Sequence, residues 1–211
     1  MPDLRHERAL GLVPGLSDGK IVCGIDEVGR GPLAGPVMAC AVIIDSSRLP
    51  KKLARQIDDS KKLTAAKRAE LHDALTTCVT YALGQASVAE IDEINILQAS
   101  FLAMRRAVEA LPVVPDIALI DGNRPPKLNC ATQCLVGGDG LSLSIAAASI
   151  IAKVVRDKIM WALSETHTVY GWERNVGYST AEHLAAILRH GVTVEHRRSF
   201  RPVSQSLSIT D

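Results

Sequence analysis

The chain has 211 residues, of which 47% are hydrophobic and only 3% are aromatic. This length allows one sizeable core, which must be built mainly from Ala, Leu, Ile and Val. A formal net charge of +1 and so few aromatic side chains argue against a globally basic nucleic-acid binder and against an RNA-recognition module that stacks bases on a sheet.

The cysteines and the N-terminus favour a reduced, cytoplasmic protein. Five cysteines, an odd number without a Cys-x-x-Cys pair, indicate no disulfide framework. Cys130 and Cys134 lack a second pair, which disfavours zinc. The mixed charges of residues 1–8 do not resemble a signal peptide, and no apolar run reaches the roughly 18 residues of a membrane span.

Residues 1–19 are expected to form a loose lead-in, because Gly11, Pro14, Gly15 and Gly19 interrupt them. The first predicted strand begins at Ile21 and ends in two adjacent carboxylates, Asp26 and Glu27. Successive strand side chains point to opposite faces. Both acids could therefore serve one ligand only if the strand ends between them or a metal gathers them from two sides.

The turn after this strand is Gly29-Arg30-Gly31-Pro32. Glycines leave backbone N–H groups open to a close-approaching phosphate, and the arginine adds a fixed positive charge. An ordinary strand end followed by an ordinary turn would explain the same residues.

Residues 36–44 form a second apolar run, which predicts an antiparallel hairpin with the first strand. Residues 48–68 carry eight basic side chains against Asp58 and Asp59, so they form a local basic patch. Thr64 is expected to cap a helix there, and a solvated helix face explains most of these lysines.

Residues 79–86 are predicted to form a third strand. Ser87 and Glu90 then have the spacing of a capping box, and apolar residues recur at helical intervals up to about Leu111. Prolines at positions 112 and 115 end this helix.

Two further predicted strands also lead into acids. Residues 116–123 end in Asp121-Gly122-Asn123, although this is also a common turn sequence. Residues 131–136 lead into a glycine-rich turn that contains Asp139.

The remaining chain is predicted to be mainly helical. Residues 141–163 form the most apolar helix, and residues 166–178 form a loop. Thr180 is expected to cap a helix that runs through Arg189, and residues 196–202 form a second basic patch. Small side chains between 144 and 152 allow close packing against a sheet.

Three strand ends thus carry Asp26 with Glu27, Asp121, and Asp139. Neighbouring strand ends can converge at one edge of an α/β sheet. Unpaired carboxylates gathered there indicate a site for Mg²⁺ or Mn²⁺, which prefer oxygen ligands. Two such ions could activate water for in-line displacement at phosphorus.

Several motifs then match a known family in chain order, from about residue 20 to residue 203. The chain resembles the type 2 ribonucleases H, specifically bacterial ribonuclease HII, in these segments: Gly24-Ile25-Asp26-Glu27-Val28-Gly29-Arg30-Gly31-Pro32, Asp59-Ser60-Lys61-Lys62-Leu63, Leu119-Ile120-Asp121-Gly122-Asn123, Gly138-Asp139, residues 144–153 and Gly177-Tyr178-Ser179-Thr180.

The resemblance implies an α/β, RNase H-like fold with a mixed five-stranded central sheet flanked by helices. The catalytic domain would cover residues 20–203, with a small C-terminal helical part at about 166–203 and a tail at 204–211. The related ribonuclease HIII has a long extra N-terminal domain, for which the roughly twenty residues before the first strand are too few.

The resemblance also implies a metal-dependent endonuclease that cuts the RNA strand of RNA/DNA hybrids. Members also incise duplex DNA on the 5′ side of an embedded ribonucleotide, the chemistry of ribonucleotide excision repair, leaving a 3′-hydroxyl and a 5′-phosphate. The expected partners are these nucleic acids, and the enzyme is expected to act as a monomer in the cytoplasm.

By this resemblance, the acids matching Asp26, Glu27, Asp121 and Asp139 hold Mg²⁺ or Mn²⁺. The residues matching Gly29, Arg30 and Gly31 contact the ribonucleotide 2′-hydroxyl and backbone, and the tyrosine matching Tyr178 packs on the following sugar. Lys61 and Lys62 are our candidates for phosphate contacts.

One departure concerns residues 175–176, where many members carry His-Lys but this chain has Asn175-Val176. A phosphate contact made by that lysine would be absent, which affects substrate affinity.

Two other functions remain as alternatives. A non-catalytic nucleic-acid binder is disfavoured because unneutralised carboxylates repel phosphates. A phosphate-loop nucleotide hydrolase is disfavoured because the chain lacks the GxxxxGK[ST] motif.

Overall fold

The structure, a computed structural model, describes residues 1–11 and 19–210. Its strands are β1 (Val22–Val28), β2 (Val37–Ile43), β3 (Thr80–Ala86), β4 (Ile117–Asp121) and β5 (Ala131–Leu135). Its helices are α1 (Arg5–Ala9), α2 (Lys51–Ala54), α3 (Ala65–Thr76), α4 (Val88–Glu109), α5 (Leu143–Thr166), α6 (Trp172–Asn175), α7 (Ala181–His190) and α8 (Arg201–Thr210), and a 3₁₀ turn covers Gly138–Gly140.

The strands form one mixed sheet in the order β3-β2-β1-β4-β5. β1 pairs antiparallel with β2, as does β2 with β3, whereas β1 pairs parallel with β4, as does β4 with β5. The predicted hairpin and the five-stranded α/β fold are therefore confirmed.

Helices cover both faces of the sheet. α4 packs on one face over residues such as Ile25, and α5 packs on the other. α5 lies so close to β1 that a Cβ added at Gly24 would lie 2.3 Å from Ser144 Oγ. Because strand side chains alternate, Asp26 points to the α5 face and Glu27 to the α4 face.

The C-terminal helices contribute a separate apolar cluster beside the turn that connects β1 and β2. Trp172, Ile187 and Val203 pack there against Leu33 and Ala34. This packing attaches the C-terminal part to the end of β1 rather than leaving it as a separate unit.

The predicted helix starts agree with the caps. The side chain of Thr64 accepts a hydrogen bond from the Lys67 N–H, that of Thr180 accepts one from the His183 N–H, and Ser87 with Glu90 forms the capping box. The apolar helix starts at Leu143 with Ser142 as its N-cap, two residues later than expected.

α4 is interrupted at Asn95, where φ is +67°. The Asn95 side-chain oxygen accepts hydrogen bonds from the N–H groups of Leu97 and Gln98, so it caps the second half of the helix. With ψ at +163°, Asn95 lies in a backbone region that is adopted almost only by glycine, so these two hydrogen bonds must offset local strain. Apolar periodicity continues across the kink, so the sequence predicted one helix.

The chain ends also differ from expectation. Part of the lead-in is the helix α1, whereas Pro14 and Gly15 lie outside the described residues. The expected boundary between residues 203 and 204 falls within α8.

Two short helices, α2 and α6, lie in segments for which no helix was predicted. Among the described residues, no helix is long and apolar enough to cross a membrane.

Candidate active site

Three of the four predicted acids meet at one edge of the sheet. Asp26, Asp121 and Asp139 each offer a carboxylate oxygen, and these oxygens lie within 4.8 Å of one another. We call these three residues the carboxylate edge. Asp26 and Asp139 are buried and Asp121 is half-buried, so the group lies in a recess rather than on an open surface.

Strand register and one hydrogen bond produce this convergence. Ile25 of β1 pairs with Ile120 of the parallel strand β4, so the following residues, Asp26 and Asp121, emerge side by side. The Gly138 N–H donates to Asp121 Oδ1 at 2.8 Å, which brings the turn carrying Asp139 to the same place.

Glu27 does not belong to this group of three. It points to the α4 face, where with Arg30, Met104 and Arg124 it lines a groove of about 310 Å³. Glu27 Oε1 accepts a hydrogen bond from Arg30 Nη1 at 3.0 Å, while its Oε2 is buried and accepts none from the described residues.

Burial and neighbouring negative charges raise the pKa of Asp26, Glu27 and Asp121. Burial raises the pKa of Asp26 well above its ordinary value, and the charges of Glu27 and Asp121 raise it further. Burial also raises the pKa of Asp121, which the hydrogen bond from Gly138 opposes. For Glu27, burial raises the pKa while Arg30 lowers it. The carboxylate edge therefore gathers negative charge at a cost in free energy.

This donor set fits a hard cation. Three carboxylates offer oxygen ligands, and on the other face of β1 the buried Glu27 Oε2 has no hydrogen-bond partner among the residues that the structure describes. A divalent ion would neutralise the repulsion that raises these pKa values. The residues suit Mg²⁺ or Mn²⁺, whereas the nitrogen and sulfur ligands that zinc prefers do not occur in the group.

The two candidate phosphate-binding lysines differ in position. Lys61 Nζ donates to Asp139 Oδ2 at 3.1 Å, and this contact with Asp139 raises the lysine's pKa although burial alone would lower it. Lys62 Nζ lies 3.6 Å from Asp58 Oδ1 instead, and within the described residues it forms no ion pair with the four predicted acids. Lys61 therefore adjoins the carboxylate edge, and Lys62 belongs to the basic patch around it.

The predicted glycine motif is part of a longer turn between β1 and β2, residues 29–36, which we call the glycine turn. Gly29 is buried and has φ +91°, whereas Arg30 and Gly31 are exposed. A positive φ at Gly29 explains the need for glycine there. The exposed part of the motif faces solvent beside the acids.

Tyr178 lies next to this exposed part. A Cβ added at Gly31 would be 3.5 Å from the Tyr178 ring, and the ring is 45% exposed. The Leu33 N–H donates to the Gly177 carbonyl at 2.7 Å. This bond links the glycine turn to residues 176–178, which we call the Tyr178 segment. The structure thus brings Gly31 and Tyr178 together.

The departure at residues 175–176 has a structural role. Asn175 is buried, its Nδ2 donates to the Tyr170 carbonyl at 2.7 Å, and its Oδ1 accepts from the Gly177 N–H at 2.9 Å. Val176 has φ +45° and packs against the C-terminal apolar cluster. Neither side chain presents a charge to a phosphate.

The second predicted basic patch is wrong at His196 and Arg197, which are buried. His196 lies 3.1 Å from His183, between their Nε2 atoms, and His183 Nδ1 lies 2.9 Å from the Tyr178 carbonyl. Burial lowers the pKa of His183 and lowers that of His196 to about 4. These histidines are neutral at pH 7, and His183 contacts the Tyr178 carbonyl from the buried side of the segment.

Glu7, like His183, supports the site although sequence patterns did not identify it. Its buried Oε1 accepts hydrogen bonds from Ser142 Oγ at 2.6 Å and from Ser144 N and Oγ at 2.9 and 2.7 Å. Asp3 forms a β-bridge with Ser142. The N-terminal residues therefore hold the segment that carries Asp139, although no local pattern in residues 3–7 signals that contact.

Comparisons with known proteins agree with this geometry. A family model described as ribonuclease HII matches residues 23–203. The chain is 58% identical over 205 residues to a ribonuclease HII of Paramagnetospirillum magneticum, covering 97% of this chain and 98% of the relative. It is also 58% identical over 210 residues to one of Rhodospirillum rubrum, with coverage of 99% and 93%.

Solved structures show the same fold. The ribonuclease H2 of Pyrococcus horikoshii superposes with a TM-score of 0.75 at 25% identity, covering 89% of this chain and 97% of that chain. A structure titled Bst-RNase HIII in complex with Mn²⁺ has a TM-score of 0.74 at 22% identity, with coverage of 100% and 74%. At that identity the likeness shows the fold alone.

Proposed function

The chain belongs to the ribonuclease HII family and is a ribonuclease H, and we propose that it incises duplex DNA on the 5′ side of embedded ribonucleotides as well as cutting RNA/DNA hybrids. The products would carry a 3′-hydroxyl and a 5′-phosphate. The observation that carries this proposal is that Asp26, Asp121 and Asp139 converge next to the glycine turn.

We further propose that the carboxylate edge, with Glu27 from the other face of β1, holds Mg²⁺ or Mn²⁺. When bound, two such ions would activate a water molecule and stabilise the leaving oxygen of an in-line displacement. The acids then have no need to act as nucleophiles, so no covalent intermediate with the protein is required.

We assign substrate recognition to the glycine turn. Backbone groups of Gly29, Arg30 and Gly31 would contact the ribose, since the 2′-hydroxyl is the group that distinguishes RNA from DNA at a given site. Tyr178 would pack on the following sugar, which its position beside Gly31 allows. Only Val28 separates Glu27 from Gly29, so a ribose held at the turn lies next to the acids.

Lys61 and Lys62 would contribute phosphate contacts that position the duplex without reading its sequence. Lys61 already bonds Asp139, so it can also neutralise part of the acidic charge before the nucleic acid arrives. Val176 offers no charge at the position where many members carry lysine, so affinity depends more on the remaining basic residues.

We also propose that the enzyme acts as a monomer, because one chain supplies the carboxylates, the glycine turn and Tyr178. A cytoplasmic setting and a role in ribonucleotide excision repair belong to the same proposal. The five cysteines are free thiols, which fits a reducing compartment.

The test is a cleavage assay that compares an all-RNA/DNA hybrid with a DNA duplex containing one ribonucleotide, in Mg²⁺ and in Mn²⁺. We expect metal-dependent cleavage of both, with incision 5′ to the single ribonucleotide. Asp139→Asn should remain folded and lose cleavage, whereas Asp45→Asn, at an exposed aspartate after β2, should retain it. Wild-type incision by Asp139→Asn, or cleavage in a chelator, would contradict the metal assignment.

A further inference from the structure

Two fully buried arginines, Arg156 and Arg197, lie beneath the glycine turn. In the part of the chain that the structure describes, neither takes part in an ion pair. A buried charge without a carboxylate is costly unless other groups satisfy it. Here backbone carbonyls satisfy both guanidinium groups.

Arg197 donates four hydrogen bonds to carbonyls of the glycine turn. Its Nη2 donates to Gly29 at 2.6 Å and to Gly35 at 2.8 Å, its Nε donates to Gly35 at 3.0 Å, and its Nη1 donates to Arg30 at 3.1 Å. The bonds reach both the beginning and the end of the turn, so one rigid planar group fixes the separation of its two ends.

Arg156 donates to the far side of the same turn and to a second segment. Its Nε donates to the Pro36 carbonyl, its Nη2 to the Ala34 carbonyl and its Nη1 to the Val176 carbonyl, each at 3.0 Å. Val176 is two residues before Tyr178. Arg156 thus fixes the Tyr178 segment relative to the glycine turn.

The direction of these bonds determines what the turn exposes. In a trans peptide, the carbonyl of one residue and the N–H of the next point in opposite directions. Because the carbonyls of Gly29 and Arg30 point to the buried Arg197, the N–H groups of Arg30 and Gly31 point away from it. These are the donors that a ribose or phosphate oxygen would meet at the exposed part of the turn.

The close approach depends on glycine. A Cβ added at Gly29 would lie 2.2 Å from Arg156 Nε and 2.9 Å from the Pro36 carbonyl oxygen. The motif therefore has a glycine, Gly29, at its buried end, where a side chain would clash with Arg156, and two exposed residues, Arg30 and Gly31, after it. The two guanidinium charges beneath the turn also favour the approach of a polyanion.

We propose that Arg197 and Arg156 are positioning residues that orient the backbone N–H groups of the glycine turn for the ribonucleotide. This inference rests on the proposed function. It assigns the turn's geometry to two distant residues, one in α5 and one just before α8, rather than to the motif itself.

The test uses Arg197→Lys, which keeps the positive charge but cannot reproduce the planar arrangement of hydrogen-bond donors in the guanidinium group. Its matched control is Arg198→Lys, which changes the next residue, an exposed arginine. We expect Arg197→Lys to lose about 10- to 100-fold in kcat/KM on the singly ribo-substituted duplex, mainly through KM. We expect Arg198→Lys to stay within about twofold.

A second readout separates positioning from general structural damage. In metal-free buffer, binding of the ribo-substituted duplex is compared with binding of the all-DNA duplex of the same sequence. Arg197→Lys should lose most of the wild-type preference for the ribonucleotide, while its Mn²⁺ affinity, measured by calorimetry, stays unchanged. Retention of the wild-type preference would overturn the inference.

Arg156→Lys provides a second variant if Arg197→Lys does not fold, and it should show the same loss of preference. If neither variant folds, the inference is also overturned, because the arginines then support the whole fold rather than the turn. A wild-type enzyme without any ribonucleotide preference would instead contradict the proposed function. The two failures are therefore distinguishable.

Discussion

The carboxylate edge and the glycine turn adjoin each other along β1, but they bury charge in opposite ways. At the carboxylate edge, three like-charged side chains face one another, and burial together with neighbouring negative charges raises the pKa of Asp26. Beneath the glycine turn, seven hydrogen bonds to carbonyls surround Arg156 and Arg197. In the first region the charges repel one another, whereas in the second the protein itself satisfies the buried charges.

This difference suggests that the two halves of the site contribute differently to catalysis and to folding. Acids that repel one another lower the stability of the metal-free protein, and we propose them as the metal ligands. A satisfied guanidinium pair stabilises a backbone shape before any substrate is present. The predictions below test whether stability and activity separate in this way.

The largest effect is expected for Asp26→Asn. Loss of this proposed metal ligand should lower kcat/KM by a factor on the order of 10³. The same change removes a buried negative charge from the carboxylate edge, so the metal-free protein should gain about 1 kcal/mol in free energy of unfolding. Cleavage kinetics and urea denaturation in a chelator measure the two effects.

Asp116→Asn is the matched control for that experiment. Asp116 lies just before β4, at the other end of the strand from Asp121, and its Oδ2 accepts a hydrogen bond from the Ile21 N–H at 2.7 Å. This variant should keep activity and lose stability, the opposite of Asp26→Asn. A loss of stability in Asp26→Asn would show that the repulsion among the acids is unimportant.

Acidification should weaken the support of the Tyr178 segment. Burial lowers the pKa of His196 from the ordinary histidine value of 6.5 to about 4 in the folded protein, so between these pH values the unfolded chain binds the additional proton. The contribution of His196 to stability is complete above about pH 6.5. It should decline as the pH falls towards about 4, by up to about 3 kcal/mol.

Chemical denaturation between pH 7.5 and 4.5 measures this slope. His196→Asn should flatten the dependence on pH even if it lowers stability at pH 7. His190→Asn, at an exposed histidine, should leave the slope unchanged. The same slope in all three proteins would exclude His196 as its source.

The smallest effect is expected for Lys62→Ala. One phosphate contact fewer should raise KM by a few-fold and reduce the slope of log KM against log salt by about 1, with kcat unchanged. Lys51→Ala changes an exposed lysine of α2 and should affect neither quantity. A change in kcat for Lys62→Ala would place that lysine in the reaction itself rather than in the surrounding basic patch.

Local pattern was sufficient for much of the site. Asp26, Asp121 and Asp139 each follow a strand-like apolar run, and parallel register then brings Asp26 and Asp121 together. Helix caps such as Thr64 and Ser87 are likewise local. The family resemblance added the assignment of Gly29, Arg30, Gly31 and Tyr178, which the motif spacing alone leaves open.

Residues whose role depends on distant partners were not predictable in this way. Arg197 lies among charged residues in the sequence, a pattern that is typical of exposed side chains. It can be buried because carbonyls about 160 residues earlier in the chain accept hydrogen bonds from its guanidinium group. Glu27 differs from these residues, because strand alternation already predicted that it would lie on the opposite face of β1 from Asp26. Asn95 interrupts a helix whose apolar spacing gives no sign of a kink.

The contact between Glu7 and the start of α5 joins residues that are 135 and 137 positions apart. Glu7 therefore leaves the ribosome long before its partners Ser142 and Ser144 are synthesised. Until then its carboxylate must remain hydrated. Closure of this long loop helps to order the turn carrying Asp139, so the proposed metal-binding recess is completed only after Ser144 has been synthesised. An incomplete nascent chain would already contain Asp26 beside Asp121 but could not yet hold the third carboxylate in place.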